Sequence, residues 1–511
     1  MISNWTQLAS YKVDADKITA DNPEPDAWLL NCIRANQRTV YGKKYCFEKI
    51  YTIDQYCQYV PLINYEDIQN YIRQISGGEK DILFKGKAVA FERSSGSSGA
   101  EKLIPYSSES LNNFRKIILP WLSGLARAHN IQTGSVYWAI SPATRQAEMT
   151  DGGVPIGLSD ADYIGADLLT WFSGVSAVPL WVGGIANVPD WQLATLYYLL
   201  CHKDLALVSV WSPSFLLQLL EALQTRQHEL LRLLQKGGEI DGRALPPDLS
   251  AAARCQAYFQ GEDARCLWPD LRVISCWADA SSAFFYQRLR SRFKEAHFQP
   301  KGLLATEGIV TAPDSGDRPR LVSDSGFFEF EEDNGELRLT RELQEGRRYE
   351  VIMTTAGGLY RYRTGDLVLC EKAHPAHPVL RFVGKGDLVS DMVGEKLTDE
   401  FVRSCLQELE GFGMLVPVNQ EKPHYILILD KDTTDWSASL VERMEKRLFA
   451  NRHYAYARKL GQLGRLQALT VARPLHRYTD SRLRKGARLG DIKVPSLCIY
   501  TDWLKKNGSF V

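Results

Sequence analysis

The apolar residues of this chain recur at two different spacings, which separate predicted helices from predicted strands. Several stretches carry apolar side chains three and four residues apart, the period of one helix face; they are 26–34, 65–73, 108–125, 191–200 and 214–234. Between them lie short apolar runs such as 136–140 and 205–210, which predict buried strands. Helices that alternate with short buried strands are typical of an α/β fold with a parallel sheet.

Beyond residue 270 the pattern changes to one dominated by strands. Strands are predicted at 272–276, 302–310, 327–331, 337–339, 349–353 and 358–362. Asp333-Asn-Gly335 predicts a hairpin turn, and the strands predict a β-rich, barrel-like subdomain over about 310–385. A helix near 398–410, a strand at 425–429 and a helix at 437–460 then predict an α+β segment. We therefore expect a large domain over 1–385 and a small α+β domain over 386–511.

One uncharged stretch, 168–189, is long enough to cross a bilayer. It contains two prolines, three glycines and several polar residues, which an isolated membrane helix would rarely contain. The composition of this stretch predicts buried strands and turns near a pocket instead.

Charge and cysteine usage narrow the class of protein. The 511 residues include 61 basic and 61 acidic side chains, so we expect neither a nucleic acid nor a membrane as partner. The ten cysteines form no CxxC pair, and the N-terminal residues are polar, so a cytoplasmic location is expected. His374 and His377 stand beside prolines, which predicts an exposed turn and not a metal site.

The segment 91–105, FERSSGSSGAEKLIP, is rich in serine and glycine and is flanked by two predicted strands. Such a loop exposes backbone N–H groups and hydroxyls, and Lys102 follows it, so the segment could hold a polyphosphate. It lacks the Walker pattern GxxxxGK[ST]. A flexible surface loop explains the composition equally well.

Three further stretches carry candidate chemistry. Glu307, placed by the pattern at the end of a buried strand, could hold Mg²⁺ beside phosphates or pair with an arginine. Asp366, next to Gly365, could accept the hydroxyls of a ribose or belong to an ordinary turn. Lys493 has apolar neighbours within a basic tail and could stabilise charge that builds up in adenylation.

Taken together, five motifs resemble those of the Gretchen Hagen (auxin-responsive) family of acyl-acid amido synthetases, which belong to the acyl-adenylate-forming superfamily of firefly luciferase. The motifs are SSGSSGAEKLIP, ATEG, YRYRTGD, FVGKGDLVSDMVGEKLTDE and GDIKVP. The resemblance covers nearly the whole chain, although Ser97 replaces the usual threonine and LATEG replaces the YASSE of plant members. It implies a bacterial-type member that converts an acid and ATP to an acyl-adenylate and then to an amide.

The resemblance also implies roles for individual residues. Phosphates would be held by Ser95, Gly96, Ser97, Ser98, Gly99 and Lys102. Ala305, Thr306 and Glu307 would lie at the α-phosphate, with Glu307 as the Mg²⁺ ligand, and Asp366 would hold the ribose. Lys396 and Lys493 would be catalytic, on a mobile small domain with a hinge at about 384–390. Gly153, Val154, Pro155 and Ile156 would lie near the acyl and acceptor pockets.

The expected substrates are therefore ATP with Mg²⁺, a small carboxylic acid and an amine, expected to be an amino acid, and we expect a monomer to bind them. Two alternatives stay open at this point. An acyl-CoA synthetase would share the adenylation step, and a non-catalytic nucleotide- or acyl-binding protein could have the same fold.

Overall fold

The computed structural model describes the residues that make up most of the chain. They are 5, 25–95, 101–139, 148–158, 163, 165–323, 326–386, 388–420, 422–432, 437–506 and 509–510. The chain forms two compact units. The first comprises Met1–Ala278 and Phe285–Phe382, and the second comprises Asp279–Phe284 and Val383–Val511.

A four-stranded parallel sheet lies in the first unit. Its strands follow the order His297–Pro300, Val273–Cys276, Leu205–Ser209 and Ser135–Trp138. The two central strands are buried at every position, as expected for a parallel sheet covered on both faces. The helices in this part of the chain are Ser108–Ala128, Ala166–Val175, Val188–Cys201, Pro213–Thr225, Gln227–Lys236, Leu249–Phe259 and Ala283–Arg292. The predicted α/β class with parallel strands is confirmed.

A second sheet contains the two strands that flank the loop rich in serine and glycine. The strands Ala90–Ser95 and Glu101–Tyr106 pair antiparallel, as the sequence predicted. Pro155–Ile156 adds to the other side of Ala90–Ser95, and Glu148–Met149 lies at the edge. The N-terminal helices Pro25–Asn36, Val40–Lys44, Ile53–Tyr59 and Tyr65–Ser76 precede this sheet in the chain.

The β-rich part of the chain forms one seven-stranded sheet. Its order is Thr311–Pro313, Pro319–Leu321, Val379–Lys385, Tyr362–Lys372, Arg348–Thr355, Gly326–Glu331 and Leu337–Leu339. The predicted hairpin joins the last two strands of this order, and Gly335 takes the positive φ of 84° that its turn requires. A separate small hairpin pairs Gly238–Ile240 with Arg243–Leu245.

The second unit has its own sheet and its own apolar core. Gly413–Val418 pairs antiparallel with His424–Asp430, which pairs parallel with Gln467–Val471. The short strands Val389–Ser390 and Leu397–Thr398 precede these, and Lys505–Lys506 pairs with Ser509–Phe510. The helices are Asp399–Leu406, Ala438–Leu448, Arg452–Lys459 and Pro474–Arg484.

Three strand predictions were wrong. The apolar run 168–189 contains the helix Ala166–Val175 and the 3₁₀ helix Leu180–Gly184, because an apolar run without clear period does not distinguish strand from helix. The stretch 302–310 forms a tight turn closed by a single bridge between Leu304 and Ile309. At 358–362 the chain turns before the strand begins at Tyr362. In the described ranges, no helix is both long and apolar enough to cross a membrane.

Two predicted long helices are each divided in two. The helix predicted at 214–234 is interrupted at Arg226, and the one predicted at 437–460 is interrupted before Asn451. Asn451 accepts hydrogen bonds from the backbone N–H groups of His453 and Tyr454, so it begins a new helix.

A buried ion pair fixes the segment that precedes Asp366. The Arg361 guanidinium donates to both carboxylate oxygens of Glu329, at 2.9 and 2.7 Å, and the two residues are 5% and 2% exposed. Its Nη1 atom donates to the carbonyl oxygens of Cys57 and Val60, which joins the helix Ile53–Tyr59 to the sheet. Burial would lower the pKa of Arg361, but the hydrogen bonds and charge of Glu329 outweigh it and raise the pKa.

Aromatic side chains pack around the same segment. Tyr360 stacks on Tyr41 with ring centroids 5.1 Å apart, and its hydroxyl donates to the carbonyl oxygen of Leu83. Tyr362 forms a parallel bridge with Ile63. The first half of the YRYRTGD motif is therefore bound into the core of the first unit.

We predict that Arg361→Met lowers the free energy of unfolding by about 3–5 kcal/mol, because Glu329 would keep a buried charge without its partner. Urea denaturation measures the loss. Arg338→Met is the matched control: Arg338 pairs with Glu332 and Glu336 at the surface, so its loss should lower the free energy of unfolding far less than Arg361→Met does. Equal effects of the two substitutions would contradict the assignment.

Candidate functional site

The two strands that flank the Ser/Gly loop pair in a regular antiparallel register. Ser94 lies opposite Lys102, and Ser95 lies opposite Glu101. The Lys102 ammonium lies 5.7 Å from the centre of the Tyr65 ring, on the next helix back in the chain. Gly96, Ser97, Ser98 and Gly99 lie outside the described residues, so their assignment to phosphates stays a prediction.

The ATEG motif forms a tight turn and not the end of a strand. The backbone N–H groups of Ala305 and Gly308 each donate to the carbonyl oxygen of the other, at 3.0 and 3.2 Å. The hydroxyl of Tyr106 donates to the carbonyl oxygen of Thr306 at 2.7 Å. Since Tyr106 ends the strand that follows the Ser/Gly loop, the two motifs are joined by a direct hydrogen bond. Glu307 is half-buried here, which removes the cost of a fully buried charge.

A pocket of about 510 Å³ opens between this turn and the helix Ser108–Ala128. The turn contributes Ala305, Glu307 and Gly308 to its wall, and the hairpin contributes residues 104–106. The remaining lining comes from the helix, from Ile309 and from the end of the strand Arg348–Thr355 with the turn after it; it comprises Ser110, Asn113, Phe114, Ile117, Ile309, Thr355, Ala356, Gly357 and Leu359. A mostly apolar wall with a few polar groups is typical of a small-molecule site.

The helix that lines the pocket begins at a well-formed cap. Ser107 precedes the helix, its Oγ accepts from the backbone N–H of Ser110, and the hydroxyls of the two serines lie 2.9 Å apart. The Ser107 hydroxyl also donates to the carbonyl oxygen of Ala356 across the pocket rim. Ser107 is therefore the N-cap, and it fixes the first turn of the helix against the opposite wall.

Asp366 lies in a β-bulge, not at a strand end. Glu350 pairs with Leu367 while Ile352 pairs with Arg363, so extra residues, including Asp366, face the single residue Val351. Gly365 has a φ of 72° in this bulge, and Asp366 is 2% exposed.

The negative charges of Glu307 and Asp366 both affect the pKa of the Tyr362 hydroxyl. The pKa of Tyr362 is raised, mainly by burial, and the carboxylates of Glu307 and Asp366 both add to the rise. The structure therefore brings both candidate carboxylates into the electrostatic surroundings of one buried tyrosine.

Gly153–Ile156 stand outside the lining of this pocket. Val154 packs into the core cluster that contains the aromatic side chains of the N-terminal helices, and Ile156 pairs with Phe91. A Cβ on Gly152 would lie 2.2 Å from the backbone nitrogen of Gly78, so this segment packs tightly on the end of the helix Tyr65–Ser76. Their role at an acyl or acceptor pocket stays a prediction.

The two candidate lysines have exposed side chains in the second unit. Lys396 has a φ of 43° and an exposed side chain, and it follows Glu395, which is fully buried and accepts hydrogen bonds from the backbone of Met392 and Val393. Lys493 is also exposed, three residues before Ser496. The backbone N–H of Ser496 donates to the Asp399 carboxylate at 2.7 Å. Because Asp399 lies three residues after Lys396, this hydrogen bond joins the two lysine-bearing segments.

One of the two histidines of the Pro-rich turn differs from expectation. His374 is exposed as predicted, but His377 is 5% exposed, and burial lowers its pKa. Within the part of the chain that the structure describes, no three His, Cys, Asp or Glu side chains form a metal-binding group.

Sequence reasoning missed a buried lysine that leads into the ATEG turn. Lys301 is 4% exposed and lies 4.6, 5.4 and 5.0 Å from the ring centres of Trp121, Trp138 and Trp211. Its ammonium donates to the Ser209 hydroxyl at 2.8 Å. Burial lowers its pKa to about 7. The sequence shows only a lysine before an apolar segment; the three tryptophans come from distant elements and give no local signal.

Comparison with known protein families agrees with the fold of the chain. Models of the GH3 family match three segments: the N-terminal domain over residues 21–298, the central domain over 320–385 and the C-terminal domain over 393–500. The first alone spans more than half of the chain. The chain belongs to the GH3 family.

Characterised relatives share low identity over most of their length. A jasmonoyl–L-amino acid synthetase of Nicotiana attenuata is 23% identical, over 85% of this chain and 84% of its own. A 4-substituted benzoates–glutamate ligase of Arabidopsis thaliana is 21% identical, over 80% of this chain and 79% of its own.

Solved structures share the fold of this GH3 family member. The GH3.15 acyl acid amido synthetase has a TM-score of 0.82 at 18% identity, covering 98% of this chain and 93% of its own. A 2-hydroxyisobutyryl-CoA ligase in the postadenylation state has a TM-score of 0.56 at 12% identity, covering 90% and 91%. The predicted relation to adenylate-forming enzymes is thereby confirmed for the fold.

We predict a pH-dependent stability effect of Lys301→Met. Between about pH 7 and the ordinary lysine pKa of 10.5, the unfolded chain holds a proton that the folded protein releases, so stability rises with pH in this window. Methionine removes that dependence. The unfolding free energy of the variant minus that of the parent should therefore fall by about 1.4 kcal/mol per pH unit across the window.

Urea denaturation at pH 6, 7.5 and 9 tests this expectation. Lys116→Met is the control, because Lys116 is exposed and pairs only loosely with Glu109, at 3.6 Å. A difference in unfolding free energy between Lys301→Met and the parent that does not change with pH would show that Lys301 titrates normally.

Proposed function

We propose that the protein is an ATP-dependent acyl-acid amido synthetase. One observation carries the proposal: residues 104–106, at the end of the strand that follows the Ser/Gly loop, and the ATEG turn both line one pocket and are joined by the Tyr106–Thr306 hydrogen bond. A mostly apolar pocket beside the two candidate phosphate motifs suits an acid that must meet ATP. Membership of a family whose named relatives are amido synthetases supports the same reaction.

The reaction would proceed in two steps. A carboxylate oxygen of the acid attacks the α-phosphorus of ATP, and pyrophosphate leaves. The amine then attacks the acyl carbon, AMP leaves with the electrons of the broken bond, and the nitrogen loses a proton. Neither step needs a nucleophilic side chain, so positioning and charge stabilisation would supply the catalysis.

Each candidate residue would have a role that fits its chemistry. Lys102 and the serines and glycines of 95–99 would hold phosphates, with Ala305 and Thr306 at the α-phosphate. Asp366 would accept the ribose hydroxyls. Glu307 is a half-buried carboxylate at the pocket wall, which fits one ligand of Mg²⁺, and phosphate oxygens and water would complete its shell. The metal would neutralise charge on the phosphates.

We predict that Glu307→Gln and Asp366→Asn each reduce acyl-adenylate formation by about 10²–10³-fold, because each removes a charge that would bind ATP or its metal. Exchange of labelled pyrophosphate into ATP measures this step. The matched control is Asp333→Asn in the exposed hairpin turn, which should retain parental exchange. Near-normal exchange in either site variant would refute the role of that residue.

We also predict that Lys396→Ala and Lys493→Ala impair different half-reactions. Each lysine is exposed on the second unit, and the proposed hinge at 384–390 would let only one of them serve each step. Pyrophosphate exchange reports adenylation, and mass spectrometry of the amide from preformed acyl-adenylate reports transfer. Lys459→Ala, an exposed lysine of the same unit, serves as control. Equal losses in both half-reactions for both variants would contradict the assignment of each lysine to one half-reaction.

Supplying CoA in place of the amine distinguishes an acyl-CoA synthetase from an amido synthetase.

A further inference from the structure

Two polar side-chain atoms in the pocket wall are buried and, in the described part of the chain, have no hydrogen-bond partner. They are Nδ2 of Asn113 and Oγ1 of Thr355, and each residue is 6% exposed. Asn113 comes from the helix Ser108–Ala128, and Thr355 ends the strand Arg348–Thr355. Buried polar groups in folded proteins are nearly always paired, so two that line one pocket indicate a ligand that pairs with them.

The neighbouring polar groups are already occupied. Ser110 lies one helical turn before Asn113, but its hydroxyl bonds with that of Ser107. Thr354, next to Thr355, contacts the Tyr56 hydroxyl at 2.7 Å. Asn113 and Thr355 therefore differ from the polar residues beside them, which complete their hydrogen bonds within the protein.

The rest of the wall limits the ligand. Much of it is apolar, with Ile104, Ile117, Ile309 and Leu359 among its residues. Glu307 is the one acidic side chain in the described lining, and that lining contains no basic side chain. A second carboxylate on the ligand would find no basic side chain in this lining to pair with, so the pocket disfavours dicarboxylates.

The chemistry of the two atoms specifies what they recognise. An amide Nδ2 only donates, and a threonine hydroxyl can donate or accept. Both can therefore pair with an oxygen that carries lone pairs and no charge. A hydroxyl, a keto group or an ether oxygen has this chemistry, whereas an alkyl or unsubstituted aryl group would leave both atoms unpaired at a cost.

We propose that Asn113 and Thr355 determine the specificity of this enzyme for monocarboxylic acids that have an apolar body and one neutral oxygen substituent. This inference rests on the proposed acyl activation in the same pocket. The pair binds the substituent, while the carboxylate of the acid reacts beside the 305–308 turn.

Matched pairs of acids test the proposal in the full-length protein. The probes are 4-hydroxyphenylacetate with phenylacetate, 5-oxohexanoate with hexanoate, and 4-methoxybenzoate with benzoate. The readout is the ratio of kcat/KM for the oxygenated acid to that for its parent acid, measured by pyrophosphate exchange. In the wild type we expect a ratio of at least about tenfold for one pair or more. Asn113→Leu and Thr355→Val should each reduce that ratio by about tenfold or more.

Thr355→Ser is the matched control, because it retains the hydroxyl and should retain the wild-type ratio. Thr355→Val differs from threonine by a single group, so it tests the pair even if Asn113→Leu does not fold. Variants that lose activity equally on both acids of a pair would overturn the inference, since the two side chains would then bind the common carboxylate or ATP. An unchanged ratio in active variants also overturns it. A wild type that activates no acid overturns the proposed function as well.

Discussion

The structure of the first unit depends on one buried ion pair, that of Arg361 with Glu329. Neither charge can be solvated where it lies, so each must be satisfied by the other and by the carbonyl oxygens around them. This requirement fixes Arg361 at a φ of 50°, a strained conformation for a side chain of its size. The strained turn separates Tyr360, which packs inward on Tyr41, from Tyr362, which begins the strand that leads to Asp366. The pair thus fixes the backbone immediately before the strand that contains the bulge with Asp366.

The ATEG turn depends on a similar constraint at its other side. Lys301 is held among three tryptophans, and one of them, Trp121, belongs to the helix that lines the pocket. The turn that begins four residues later is fixed to the Ser/Gly hairpin by the hydroxyl of Tyr106. Helix, hairpin and turn therefore meet through buried contacts that do not involve a ligand, and the pocket wall is formed in advance.

Local patterns in the sequence were sufficient for much of the fold. The helical spacing located the helices, and Asp333-Asn-Gly335 located a hairpin, because these signals are local in the chain. The stretch around Glu307 was predicted as a strand, since its apolar residues match a buried strand; it forms a tight turn instead, and the Thr306 carbonyl oxygen of this turn accepts a hydrogen bond from Tyr106, about 200 residues away. The partners of Lys301 and Arg361 are likewise distant in sequence, so no periodicity shows that they are buried. The motifs suggested candidate residues, but not which of them face a pocket.

The completeness of hydrogen bonding distinguishes a polar residue that serves the fold from the two unpaired residues in the pocket wall. Arg361 of the YRYRTGD motif is an example of the first kind. Arg361 uses its guanidinium on Glu329 and on two carbonyl oxygens, so its contribution is to the fold. Asn113 and Thr355 lie outside every motif that the sequence offers, and yet each has a buried polar atom without a partner in the described structure. An unpaired buried group costs free energy, and where two such groups line one pocket a bound substrate can pair with both and recover that cost.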